Sequence, residues 1–132
     1  MNGTFDIVVD ADRDLVVMRL AGFFDADTLG RFLAARAVAA RQLRCGPNRH
    51  LSLTDISAIS IQAQDMVAAF GAVLADPSFR SRRLAFVVAT SLARVQLRRA
   101  LGRRIDHDVA FFTDHAAAMR WLLTADARQV AA

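Results

Sequence analysis

Apolar residues recur at two different intervals along this chain, and the interval changes at regular places. Over residues 5–9, Phe5, Ile7 and Val9 alternate with Asp6 and Val8, the two-residue period of a half-buried strand. Residues 10–14 form a polar turn, and LVVMRL over 15–20 resumes as a second strand; so short a connection predicts an antiparallel hairpin. Residues 25–28 then offer N-cap candidates for a helix of about four turns, with Leu29, Phe32, Leu33, Ala37, Ala40 and Leu43 as its apolar stripe. Gly46-Pro47-Asn48 stops it. HLSLTD over 50–55 sets Leu51 and Leu53 against His50, Ser52 and Thr54, a strand with one wet or lightly covered face. Residues 56–61 read as a loop, and a second helix starts near 62–64 and runs to Ala75, where Asp76-Pro77 ends it. Its stripe is Met66, Phe70, Val73 and Leu74.

The continuous apolar run over 84–89 is the mark of a central parallel strand. Thr90-Ser91 caps a third helix to about Leu101, with Gly102 beyond it. Residues 109–112 give a last strand, and Thr113-Asp114 caps a helix containing Met119, Leu122 and Leu123. The resulting order is β-β-α-β-α-β-α-β-α. It predicts one α/β domain: a mainly parallel sheet with an antiparallel edge strand and about four helices.

Length and composition agree with this pattern. The chain has 132 residues, 55 % of them hydrophobic, which fits one domain with a full core. No uncharged apolar run nears the roughly 20 residues that span a bilayer, and the first residues carry Asp6, Asp10, Asp12 and Asp14 rather than a basic leader. No membrane insertion is expected, and the cytoplasm is the expected location. Cys45, the single cysteine, has no partner for a disulfide and makes no zinc cluster. All basic residues are arginine and all acidic ones aspartate, with no Lys, Glu or Tyr, the mark of coding bias. The charge of +4 is unevenly spread: the first 79 residues hold nine Asp against seven Arg, while residues 80–104 hold eight Arg and no acid.

With the elements in place, the sequence resembles the STAS domains, the SpoIIAA-like group that includes anti-sigma-factor antagonists. Leu20-Ala21-Gly22-Phe23-Phe24-Asp25 is similar to the family's L-x-G-x-x-D at the end of the second strand. Leu53-Thr54-Asp55-Ile56-Ser57-Ala58-Ile59 resembles its D-L-S-G-V after the third. The likeness covers about residues 4–124 and implies a non-catalytic, regulatory protein–protein interaction module. It implies an interaction rim of Asp25, Asp55, Ser57, Ser60, Gln62, Gln64 and Asp65. One departure matters. Family antagonists are phosphorylated on a serine nine residues after the motif's first Asp; counting from Asp55, that place is taken by Gln64 in Ala63-Gln64-Asp65-Met66. Phosphorylation adds nearly two negative charges at a helix N-terminus, which glutamine cannot carry. Switching by serine phosphorylation at this place is therefore not expected. Asp65 stands either as a fixed charge in its stead or as ordinary first-turn stabilisation.

No enzyme chemistry assembles from the remaining residues. His107 and Asp108 are adjacent, so an extended backbone points them to opposite faces, and zinc would need three or four convergent ligands. The surroundings of Asp106-His107-Asp108 and Asp114-His115 read as polar turns. Ser57, Ser60, Ser78, Ser81 and Ser91 lack a nucleophile elbow, and the glycines are too scattered for a phosphate loop. Cys45 follows a helix whose negative end would raise its thiol pKa. Neither a cofactor nor a metal is expected. On the third helix, Arg94, Arg98 and Arg99 share an outward arc opposite Leu92, Ala93, Leu97, Ala100 and Leu101. This basic patch reads as a solvated face, or as contact with an acidic protein partner or a second copy of the chain. Nucleic acid is disfavoured because no aromatic residues interleave the arginines. Phe23, Phe24, Phe111, Phe112 and Trp121 read as core. The alternative function is binding or carriage of a small apolar or anionic, lipid-like ligand, which would need an enclosed pocket lined by residues such as Phe24, Phe70 and Phe112.

Overall fold

The structure is a computed structural model describing the backbone of residues 2–102 and 108–131, with side chains as far as 124. Strands β1 (Thr4–Asp10) and β2 (Leu15–Gly22) form the hairpin, joined by a 3-10 turn over Ala11–Arg13. Then follow α1 (Ala26–Ala40), β3 (Leu51–Ile59), α2 (Gln64–Ala75), β4 (Arg83–Val87), α3 (Ser91–Leu101), β5 (Val109–Phe112) and α4 (His115–Ala131). The α/β fold with one antiparallel pair and four helices is the one the pattern predicts. His107, Asp106, Arg103 and Arg104 lie outside the described residues.

The strands lie in chain order, β1-β2-β3-β4-β5, with every pair after the first parallel. Right-handed crossovers that always advance in one direction put their helices on one face. Accordingly α1, α2 and α3 bury Leu29, Phe32, Met66, Ala93, Leu97 and Leu101 against Val16, Met18, Leu20, Ile56, Leu84 and Phe86. Helix α4 lies on the other face. There Ala118 and Leu122 pack on Leu15, Leu51, Leu53, Ala85 and Val87.

Three boundaries differ from the sequence reading. Residues 56–59 are strand, not loop: β2 continues to Gly22 and, after a shift of register past Arg19, pairs Ala21 with Ala58 and Gly22 with Ile59. Helix α1 stops at Ala40, and the chain tightens into turns whose Arg41, Gln42 and Leu43 amides reach back three residues; Leu43 still packs on the core. Strand β4 ends at Val87, although Val88 stays buried.

The face of β3 read as wet or lightly covered is fully covered. His50, Ser52 and Thr54 are buried. Burial of such groups is costly unless they bond one another. Ser52 Oγ meets Ser81 Oγ at 2.5 Å, Ser81 Oγ lies 3.2 Å from His50 Nε2, and the His50 ring sits 4.5 Å from the Phe79 ring. Alternation along β3 marked where polar side chains point but carried no record of what would cover them.

Candidate functional site

The C-terminal ends of β2, β3 and β4 are adjacent, so the loops that follow them share one rim. The first turn begins at Gly22, whose φ of +79° lies in the left-handed region and whose missing Cβ would stand 2.5 Å from the Asn2 carbonyl oxygen. Only glycine fits there. Three residues later Asp25 caps α1, its carboxylate accepting from the Thr28 amide at 2.8 Å. The Thr28 hydrogen bonds hold the Asp25 carboxyl below its ordinary value of 3.8.

The next loop is built around Gln62, which is only 7 % exposed. Its Oε1 accepts from the Phe24 amide at 2.9 Å; its Nε2 donates to the Gly22 carbonyl at 3.0 Å and to the Ser60 carbonyl at 2.7 Å. Its own backbone exchanges two 2.8 Å bonds with the Gln96 side chain of α3. The side chain expected to face a partner is instead the fastening of β2, β3 and α3. Asp55 is likewise engaged, accepting from the Ser57 amide at 2.9 Å. Ser60 is partly covered, while Ser57, Gln64 and Asp65 are exposed. Gln64 opens α2 with its side chain outward. Ala63 gives that helix no side-chain cap, and Asp65 accepts the Met66 amide at 2.9 Å. Its charge favours the positive helix end.

Sequence reasoning missed the apolar part of this rim. Phe23, Ile61, Leu92 and Val95 are between 45 and 65 % exposed. Phe23 follows β2, Ile61 follows β3 and Leu92 lies in the first turn of α3 after β4, so the three belong to segments that leave consecutive strands of the sheet. Phe23 is thus not core. Leu92 is not on the buried arc either. Helix α3 packs through Ala93, Leu97 and Leu101, a strict four-residue row that leaves the preceding residue about 100° away. Hydropathy could not separate these positions from core ones, because side chains of the same kind fill both.

Arg94 and Arg98 extend over Phe111 of β5, their guanidinium carbons 5.7 and 4.7 Å from its centroid, while Arg99 points to solvent. Half-buried Phe111 is therefore partly roofed by cations.

A cavity of about 110 Å³ lies between the sheet and α1, α2 and α3. Leu20, Phe32, Ile56, Phe70, Phe86 and Leu97 supply much of its wall, and Arg36, Thr54, Ser81, Gln62 and Gln96 its polar part. Of the three residues expected to line a pocket, Phe70 does so. Phe24 packs against Phe70 at 5.6 Å, and Phe112 sits on the opposite face against Trp121.

Among the described residues no three His, Cys or Asp side chains converge to hold a metal. His50 is committed to the buried serine chain, and His115 is exposed. Burial, and then the Asp14 carboxylate, push the Cys45 thiol up, so the direction read from sequence holds for a different cause. No described helix is long and apolar enough to cross a membrane. Comparison with known proteins finds no matching family model, curated protein or solved structure.

Proposed function

We propose that this chain is a non-catalytic regulatory module of the cytoplasm that docks a protein partner on the C-terminal rim of its sheet, as anti-sigma-factor antagonists do. Its docking does not depend on serine phosphorylation at the second helix. The observation that carries this reading is the set of large apolar side chains, Phe23, Ile61 and Leu92, on segments that leave consecutive strands of the sheet. Isolated exposed apolar residues are ordinary, but grouped ones bordered by polar groups mark interaction surfaces. Here Asp25, Ser57, Gln64 and Asp65 form the polar border. Apolar anchors supply most binding energy while such a border supplies orientation.

The test compares capture of interacting proteins by wild type, Leu92→Asp, Gln64→Arg and Asp65→Arg, with Val8→Asp on the distant β1 edge as control. Leu92→Asp is expected to weaken capture by tenfold or more, the order of effect of losing an anchor, and Val8→Asp to leave it unchanged. Equal capture by all variants would remove the rim from consideration.

A second reading, binding of a small apolar or anionic ligand, is favoured by the cavity beneath α1, α2 and α3.

A further inference from the structure

The polar groups lining the cavity differ in what they have left to offer. Towards the C-terminal rim, Gln62 and Gln96 are bonded to each other and to the backbone, so a ligand finds no free amide there. At the opposite end stands Arg36, on the later half of α1, which runs back towards the N-terminal edge of the sheet. Its guanidinium carbon lies 4.1 Å from the centre of the Phe79 ring. Among the described residues it has neither an ion pair nor a hydrogen bond. Burial pushes its pKa down from the ordinary guanidinium value, with Asp76 acting the other way. Thr54, buried in the middle of β3 and lining the same cavity, also has no partner for its hydroxyl among the described residues. A half-buried cation against an aromatic ring, with no protein acceptor on its N–H donors among the described residues, is a place for an anion.

We propose that the cavity binds a small organic monoanion: a carboxylate seated on Arg36, carrying an apolar body of about six carbons among Phe70, Val73, Leu97 and their neighbours. The inference rests on the ligand-binding reading above and specifies its occupant. Size keeps a long acyl chain from being enclosed: an apolar cavity of about 150 Å³ holds benzene, and this one, about 110 Å³ and open to solvent on one side, takes up a six-carbon body only in part. A free, water-soluble acid is therefore the source, rather than a membrane lipid.

Titration of isotope-labelled protein with hexanoate, hexanol and hexylamine, followed at the amides of cavity-lining residues, tests this directly. These probes share one apolar body and differ in headgroup. Hexanoate is expected to bind about tenfold tighter than hexanol, as a charge-assisted bond implies, and hexylamine weakest. Arg36→Met is expected to bring hexanoate down to the level of hexanol and leave hexanol unchanged; Val73→Phe, which fills the space, should abolish both. Equal affinity of the wild type for hexanoate and hexanol would overturn the headgroup assignment while leaving a ligand site in place. Absence of shifts with all three probes would overturn the ligand reading as well. Palmitate binding tighter than hexanoate would overturn the size limit. The comparison of probes on the wild type decides the matter even where a variant does not fold.

Discussion

Gln62 shows how much one side chain can hold. Its amide satisfies a buried N–H and two carbonyls from segments up to 40 residues away in the chain. Gln62→Ala leaves the Phe24 amide buried without an acceptor, and unsatisfied buried groups cost about 1–3 kcal/mol each. We expect a loss of about 2–4 kcal/mol, read as a lower urea midpoint with unchanged slope. Asp25 behaves differently because its cap is exposed and titrates. A carboxyl whose folded pKa lies below its unfolded value adds stability above the unfolded value, near 3.8, and loses it as pH falls through the folded one. Carboxyl NMR should give Asp25 a midpoint below 3.8, and Asp25→Asn should keep the helix cap while removing its share of the acid loss. The two residues also differ in legibility. A cap is written in the few residues around it, so Asp25 could be read as one. Gln62 could not be read as a fastening, because its partners are joined to it only by the fold.

Elements were legible where their ends are set locally and obscure where a neighbour sets them. Pro77 closes α2 and Thr90 opens α3, as read, the latter through a 3.1 Å bond from the Ala93 amide. The end of β3 depends on how far β2 extends beside it, which nothing within residues 56–59 announces. Gly22 lies between these cases: its place in a recognisable motif was visible, while its reason is the backbone of Asn2 passing across it. Gly22→Ala must move that backbone as well as adopt positive φ, and strain of this kind costs about 1–3 kcal/mol or more. A drop of that size in chemical denaturation, with wild-type far-UV circular dichroism, is the expected result.

At the scale of the molecule, among the described residues, three helices share one face of the sheet and a single helix serves the other. The alternation of strands and helices predicted the layers; which helix would stand alone follows from the chain-order sheet. Leu122 of α4 is fully buried among Leu15, Leu51, Leu53 and Val87. With no second helix on this face among the described residues to close around the gap, Leu122→Ala should cost about 3–5 kcal/mol, the upper part of the range for such truncations, again measured by chemical denaturation. The surface chemistry was legible only in part. Charge runs placed the arginines of α3, but exposure of Phe23, Ile61 and Leu92 depends on where the helices sit.

The order of the strands also bears on how the polypeptide first acquires its shape. Each strand joins the one completed just before it, so the sheet can grow from one edge in the order of synthesis, and no strand has to be inserted between two already paired. Each parallel pairing closes a loop that holds only the one intervening helix, a smaller closure cost than a strand order that skips neighbours would impose.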